Sequence, residues 1–456
     1  MLFSGLRPRA TELGNGQFLL VSSNFQPYVG GLQGVTKYQR SFTLSEDAQI
    51  FDCATGRFVL TSTAFYSYSG GTLTAIHTGL PVGEAWSYAD FGEFLVFSNG
   101  AVNLIRNVGT GVFALDYGTQ IPLAGAICRF RGRLIIGDVR TGDFQDNSMV
   151  MWSDIGKASF LTFAAMNLAR KGTAGSSNLY EVGKILALIP FHDNIIVYGD
   201  EGAVILTPTP KELAAGAMAK RPLLPFGIAS KRAVIAAGRN AHYTIAEYGA
   251  LQAIRMKDGV LGPEELDYRE FITEPEDAML SWDAKNRELL IGVPVDSPFL
   301  PGESLIINRY GVGKISSCIN SLLYTRDGEL IVHTTKPIKQ FDAMMTSDVL
   351  TFDSPGIKTL AWVEVVGSIP DGLYVAASSR ANISEGYTNG DWVPVNSAGV
   401  AFIGAAGIDF KLHLACVDYT TINIQSVKVT ISYDDRRFRM GARTDYGNKD
   451  ATGADN

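Results

Sequence analysis

Between about residue 50 and residue 345 one short hydrophobic–polar phrase recurs about seven times. It consists of a strand-like apolar run, a two-residue polar turn, and a second run rich in Ile, Val, Leu and Tyr. The clearest copies are Trp86-Ser-Tyr-Ala-Asp-Phe-Gly-Glu-Phe-Leu-Val-Phe-Ser-Asn-Gly, Cys128-Arg-Phe-Arg-Gly-Arg-Leu-Ile-Ile-Gly-Asp and Ile189-Pro-Phe-His-Asp-Asn-Ile-Ile-Val-Tyr-Gly-Asp. Others begin at Val234, Leu280 and Ser321, with a looser one at Ile50. Taken from turns at Gly56, Gly92, Gly132, Asn194, Asn240, Asn286 and Gly328, the steps are 36, 40, 62, 46, 46 and 42 residues. Repeats of about 40 to 50 residues, each long enough for four short strands, point to the blades of a β-propeller. A single such sheet would have two apolar faces and unpaired edges, and radial packing of the sheets covers them. The pattern predicts an all-β chain with a propeller of about seven blades over residues 49–348. No Trp-Asp or Gly-His signature accompanies the spacing, so a pair of β-sandwiches or a solenoid stays open as an alternative.

The flanks read differently. Residues 1–48 carry Arg7-Pro-Arg9, Gly14-Asn15-Gly16, Pro27 and Gly30-Gly31 among short apolar stretches, which opposes a helix and predicts an extended N-terminal arm with about two strands. From residue 349 apolar residues alternate with a period of two, as in Leu360-Ala-Trp-Val-Glu-Val-Val, Phe410-Lys-Leu-His-Leu-Ala-Cys-Val and Ile424-Gln-Ser-Val-Lys-Val-Thr-Ile-Ser-Tyr. That pattern predicts a C-terminal antiparallel β-sandwich domain over 349–435. Residues 436–456 are polar and read as a mobile tail.

Within the repeats, Lys211-Glu-Leu-Ala-Ala-Gly-Ala-Met-Ala-Lys220 has helix-forming composition between Pro210 and Pro222 and predicts a helix in a long loop. The segment from 207 to 226 and a second loop, 294–301, carry Leu223, Leu224, Phe226, Phe299 and Leu300. These are costly to leave in water, so with Lys211 and Lys220 they are candidates for a lumen- or partner-facing surface.

Composition narrows the function. The chain has 456 residues, 46% hydrophobic and 19% charged, with a net charge of −7. The charged fraction lies below the roughly 25% usual for soluble domains, which suggests surface covered by partners. An acidic balance excludes a sequence-reading nucleic-acid binder, which needs clustered Lys and Arg against phosphates. The four cysteines, Cys53, Cys128, Cys318 and Cys416, are too far apart for a local zinc pattern and read as reduced core thiols. The first residues lack a charged stretch followed by an apolar run and a cleavage site, and no apolar run is long enough to span a bilayer, so neither export by a signal peptide nor membrane insertion is expected.

Candidate chemistry is sparse. Histidines at 77, 192, 242, 333 and 413 show no pair spaced to share a face, so neither a metal site nor a His-based triad is expected. Asp143, Asp146 and Asn147 could offer oxygen ligands to calcium, although a hydrated turn is the preferred reading. Gly30-Gly31 and Gly70-Gly71 lack the strand-to-helix context of a phosphate cradle. Trp152-Ser-Asp-Ile-Gly-Lys-Ala-Ser-Phe160 resembles the Asp-box turn of sialidase propellers, where that turn is structural, and no arginine trio, Tyr nucleophile or paired acid accompanies it. No catalytic constellation and no cofactor are expected.

Several phrases together carry a family resemblance: the arm Arg7-Pro-Arg-Ala-Thr-Glu-Leu-Gly-Asn-Gly-Gln17 leading to Gly30-Gly31-Leu32, then Phe130-Arg-Gly-Arg-Leu-Ile-Ile-Gly-Asp138, Val150-Met-Trp-Ser-Asp-Ile-Gly156 and Ile189-Pro-Phe-His-Asp-Asn-Ile-Ile-Val-Tyr-Gly199. The chain resembles tail proteins of tailed bacteriophages, and among them the tail nozzle, or packaged-DNA-stabilisation, proteins of short-tailed phages. The likeness is one of texture and order over most of the chain, without a diagnostic motif. It implies a structural virion protein of the tail, synthesised in the host cytoplasm, that is not an enzyme. It further implies a homo-hexameric ring below the portal and adaptor, with distal needle or fibre proteins as neighbours, Arg7 and Arg9 in an assembly arm, and double-stranded DNA passing non-specifically through the lumen. Six chains at −7 each would bring −42 charges, which would keep the duplex from sticking if they line that lumen. Two rival classes are a distal tail protein that binds a host receptor or glycan, and a propeller hydrolase or lyase acting on polysaccharide.

Overall fold

The computed structural model describes residues 5–6, 18–29, 31–91, 94–107, 109–166, 174–209, 218–266, 268–293, 302–334, 343–352, 356–369, 371–419 and 421–433. The chain is all-β, with several four-stranded antiparallel sheets that resemble propeller blades. It divides into two compact units, the larger formed by Arg40–Glu303 and Cys318–Lys336, the smaller by Met1–Gln39, Ser304–Ser317 and Pro337–Asn456. This division differs from the expected boundaries after residues 48 and 348. The N-terminal segment belongs with the C-terminal sheets, and Ser304–Ser317 leaves the repeat region to join them.

Five four-stranded sheets follow one another in the larger unit. The first holds Gln49–Cys53, Gly56–Leu60, Ala64–Ser69 and Thr72–Thr78. The second holds Ser87–Phe91, Phe94–Ser98, Asn103–Asn107 and Phe113–Asp116, and the third Ala124–Phe130, Arg133–Val139, Asp146–Trp152 and Gly175–Asn178. The fourth holds Ile185–Phe191, Asn194–Gly199, Ala203–Pro208 and Met218–Leu224, and the fifth Val234–Ala236, Ala241–Ile245, Leu251–Lys257 and Val260–Leu266. Two antiparallel hairpins come sixth and seventh: Met279–Asp283 with Glu288–Val293, and Ile319–Tyr324 with Leu330–Thr334. Six of the seven turns seen in the sequence join the first strand of a sheet to its second, and the turn at Gly92 lies outside the described residues. The long step of 62 residues is explained by residues 153–174, an excursion between the last two strands of the third sheet.

Local chemistry sets these hairpins. Arg131-Gly132 and Gly70-Gly71 both have positive φ at two consecutive residues (46° and 74°, 53° and 86°), the mirror-image turn whose twist matches paired strands. In the excursion Asp154 closes its own turn, accepting from Ser159 Oγ at 2.9 Å and from the Ala174 amide at 2.7 Å. The carboxylates considered for calcium are likewise spent on protein donors. Asp143 takes the Phe163 amide at 2.7 Å, and Asp146 takes Ser148 at 2.7 Å and Asn178 at 3.1 Å.

The apolar cores lie between sheets. Phe58, Leu60 and Phe65 of the first sheet pack against Leu95, Phe97 and Leu104 of the second, with the Phe65 and Phe113 rings 4.6 Å apart. Equivalent clusters join the second sheet to the third, the third to the fourth and the fourth to the fifth. The seventh hairpin returns to the first sheet: Ile331 packs with Ile50 and Val59, and Arg57 is gripped by Asp327 and Glu329. The Ile50 amide donates to Ser321 Oγ at 3.2 Å, and the Ser41 amide to the Val332 carbonyl at 2.9 Å.

Of the helix expected over Lys211–Lys220, residues 211–217 lie outside the described residues, while 218–220 belong to Met218–Leu224, the outermost strand of the fourth sheet, which pairs with Ala203–Pro208. Pairing with an open sheet edge outweighs a helix propensity worth only tenths of a kcal/mol per residue. Lys211 itself and the loop at 294–301, with Phe299 and Leu300, lie outside the described residues, as do Arg7 and Arg9.

The smaller unit holds two sheets. In one, Phe18–Ser23 pairs with Ala343–Ser347, which pairs in turn with Asp409–Cys416 and then Leu373–Arg380. In the other, Phe25–Tyr28 pairs with Gly311–Ile315 and with Gly31–Gly34, which continues to Asn423–Tyr433, Lys358–Ser368 and Val400–Gly407. The segment read as an arm is thus woven into both sheets, crossing between them at Asn24. That residue is fully buried, has φ 55°, and accepts from the Ser316 amide at 3.0 Å. Among the described residues no helix is long and apolar enough to cross a membrane.

His242 is sealed inside the larger unit at 1% exposure, its Nδ1 2.9 Å from the Tyr198 hydroxyl. Burial pushes its pKa down to about 4, against the opposing pull of a bond to the Pro190 carbonyl, so the ring is neutral in the folded state. A depressed histidine pKa means that the unfolded chain binds the proton first, so stability is lost as pH falls from 6.5 to about 4, by ~3 kcal/mol in total. Urea unfolding of the His242→Gln variant should lack this part of the acid slope; an identical slope in both proteins would refute the assignment.

Candidate functional site

The first strands of all five sheets line one shared hollow, and those of the second and third, the third and fourth, and the first sheet and seventh hairpin are direct neighbours. Their starts therefore gather toward one end of that hollow, and their ends toward the other. The sequence places a charged residue one to three positions before five of these strands: Asp47, Glu84, Lys184, Arg232 and Asp277. At this mouth is a hollow of about 470 Å³ whose lining includes Asp47, Glu84, Lys231, Arg232, Glu276 and Asp277. Beyond it, between the first strands, is the shared hollow of about 620 Å³, walled by Phe51, Trp86, Tyr88, Ile127, Leu188 and Ile235, with Asp90, Arg129 and Arg326 as further charged residues. Lys231 lines both.

Most charges at the mouth are spent on one another. Glu84 Oε1 accepts from Lys184 Nζ at 2.5 Å and also from Arg140, whose Nε donates to Asp138 at 3.0 Å. Burial works to raise the Glu84 pKa, but the bonds from Lys184 and Arg140 overcome it and hold the carboxyl below its ordinary range. The network sits on the third sheet because residue 125 is glycine: a Cβ there would lie 2.1 Å from Asp138 Oδ2. Arg232 reaches the Asp47 carboxylate and the Asn320 carbonyl. Its neighbour Lys231 reaches the opposite way, donating to the Gly125 carbonyl. Two consecutive cations from the fifth sheet thus cross the hollow, one toward the third sheet and one toward the first and seventh.

Lys231 differs from its neighbours in having a neutral partner. An ammonium carries three donors, and the bond to Gly125 is the one Lys231 makes among the described residues. The side chain is half-buried by area, yet its amine lies deep. Burial is the largest influence and pulls its pKa down to about 8; Glu84 opposes that fall, and Arg140 adds to it. Tyr88 in the wall of the deeper hollow is raised to about 12, chiefly by burial and next by Cys53, so that wall is neutral at pH 7. The four cysteines are buried and form no disulfide. Among the described residues no group of three or more His, Cys, Asp or Glu side chains could hold a metal ion.

The residues singled out from the sequence lie elsewhere. Lys220 is on the outer strand of the fourth sheet and pairs with Glu181 at 3.0 Å. Leu224 is buried, and Leu223 and Phe226 are partly buried, against one cluster shared by the fourth and fifth sheets. Much of their apolar surface is thus covered within the chain, that of Leu224 almost wholly. The charges at the mouth were missed because successive ones stand 37 to 100 residues apart; the signal that could have found them is the repeated charge just before an inner strand.

No family model matches this chain, and no curated protein matches it. Solved structures similar to it are β-propellers. A quinonprotein alcohol dehydrogenase-like protein from Bacteroides thetaiotaomicron is 14% identical over 66% of this chain and 68% of its own, with TM-score 0.37. The WD40 domain of Neurospora crassa Pan2 is 9% identical over 66% and 86%, with TM-score 0.40. BamB from Moraxella catarrhalis is 11% identical over 67% and 94%, with TM-score 0.37. These likenesses are distant, and they concern the fold alone.

An unpaired buried ammonium costs stability, so Lys231→Met should stabilise the protein at pH 7 by on the order of 1–3 kcal/mol. The advantage should shrink as pH rises from about 8 to 10.5, where the amine becomes neutral in the folded and then in the unfolded chain. Thermal unfolding of both proteins across that range checks it; a destabilised variant at pH 7 would contradict the unpaired state.

Proposed function

We propose that this chain is a structural subunit of the tail of a short-tailed bacteriophage, forming a hexameric nozzle below the portal and adaptor that retains packaged DNA and lets it pass during ejection. In this reading the larger unit is a seven-bladed propeller, its sixth and seventh blades built on the two hairpins, and the smaller unit is a β-sandwich that makes contacts between subunits. The observation that carries the reading is an aromatic surface on the smaller unit. Trp362 and Phe402 are directly opposite on paired strands, their ring centroids 6.4 Å apart, and are 39% and 67% exposed. Tyr433, on the next strand of the same sheet, is 56% exposed. The strands of Trp362 and Tyr433 also carry the Glu364–Lys428 ion pair at 2.9 Å. Large aromatic side chains beside a polar fringe have the composition of a protein–protein interface, and leaving them in water has no benefit for a monomer. The partner is taken to be further copies of this chain. The sequence resemblance supports that choice, and the acidic balance suits a conduit to whose wall moving DNA does not stick.

Mass measurement in solution, alone and with portal and adaptor rings, tests this. A sixfold ring, or a monomer that becomes sixfold on the adaptor, is expected. A stable monomer or trimer that ignores the adaptor and binds or cleaves a host glycan would overturn it. The Trp362→Ser, Phe402→Ser double variant should fold but lose about 2–4 kcal/mol of assembly energy per contact, the scale of an interface hot spot.

A further inference from the structure

The deeper hollow in the larger unit is shaped like a small-molecule site, with apolar walls, a few charged groups, and a volume of about 620 Å³, inside the usual range for ligand pockets. Its two ends differ in charge. At the outer hollow Asp47, Glu84, Glu276 and Asp277 outnumber Lys231 and Arg232, and Arg232 is already held by Asp47, so an anion approaching from that side is repelled. Away from that mouth, the cations Arg129 and Arg326 outnumber the one acid, Asp90, in the lining. Arg129 donates to the Asp90 backbone carbonyl at 3.1 Å, and Arg326 Nε stays 3.9 Å from the Asp52 carboxylate, so neither guanidinium is closely neutralised by the contact described. Between the two ends is Lys231, whose one bond among the described residues goes to the uncharged Gly125 carbonyl, so that two of its donors have no acceptor among those residues. Arg140, Lys184 and Arg232 all have carboxylate partners; Lys231 does not.

We propose that this hollow binds a small monocarboxylate with an apolar body, which enters past Arg129 and Arg326, lays its hydrocarbon against Trp86, Leu188 and Ile235, and sets its carboxylate on the Lys231 ammonium. The carboxylate supplies the counter-charge that the fold omits, and a charge-assisted bond in a water-poor site is stronger than the neutral bond Lys231 makes alone. The apolar wall selects against inorganic anions, which cannot use it. Because burial has lowered the amine to about 8, the site accepts an anion fully below that pH and loses affinity above it. Glu84, Asp138, Arg140 and Lys184 act on the amine through space and set where this loss begins.

Octanoate, octanamide and inorganic phosphate, titrated calorimetrically into the full chain, distinguish the possibilities. Octanoate is expected to bind one to one at pH 7, at least tenfold more tightly than octanamide or phosphate, and to weaken progressively as pH rises through 8. Lys231→Met should reduce its affinity at least tenfold. Ile235→Trp, which fills the hollow and leaves the amine in place, should do the same, with far-ultraviolet circular dichroism confirming that both variants are folded. Octanoate binding that is absent, unchanged in the two variants, or no tighter than that of octanamide or phosphate would overturn the proposal.

Discussion

A twisted sheet of four short strands is apolar on both faces and cannot exist alone in water, and every other feature of the larger unit depends on that constraint. The cores are not inside the sheets but between them, so the buried surface of each sheet is completed by the next. Such a succession ends badly unless its last member covers its first. Here Ile331 meets Ile50 and Val59, and Arg57 is clasped by Asp327 and Glu329. The closing contacts join residues about 270 positions apart, and the first strands of the five sheets come to surround one hollow, the axis of the unit.

That axis explains why charge accumulates where it does. Residues just before an inner strand emerge from the apolar layer at the same end of the molecule, however far apart they are in sequence. Brought together there, they neutralise one another: Glu84 with Lys184 and Arg140, Arg232 with Asp47. Ion pairs of this kind, partly buried, contribute more to fixing the relative positions of sheets than to net stability. Lys231 stands out against this background because it is the cation left over.

Much of the fold was legible because turn chemistry is local. Pairs such as Arg131-Gly132, Lys285-Asn286 and Asp327-Gly328 announce hairpins without help from the rest of the chain, and their spacing announced the repeats. What could not be read was anything decided by distant pairing. Met218–Lys220 has the composition of a helix but fills the open edge of a sheet. Leu224 looked costly in solvent because nothing local shows that Ala203 and Ile254 lie over it. The mouth charges are individually ordinary; only closure of the seven members makes them neighbours. Phe18–Ser23 and Gly31–Gly34, short segments set among Gly14, Gly16, Pro27 and Gly30, gave no sign that their partners were more than three hundred residues downstream.

Those last pairings impose an order on how the protein comes into being. Phe18–Ser23 leaves the ribosome first, yet its partner Ala343–Ser347 is made only after the whole larger unit, and Gly31–Gly34 must wait longer still for Asn423–Tyr433. The larger unit is a continuous insertion apart from its last hairpin, so it can close while the smaller one is still missing half its strands. During that interval the first forty residues trail from a finished body with their strand edges open, available to any other sheet they meet. A nascent chain built this way is best made slowly at its end, or guarded at its beginning.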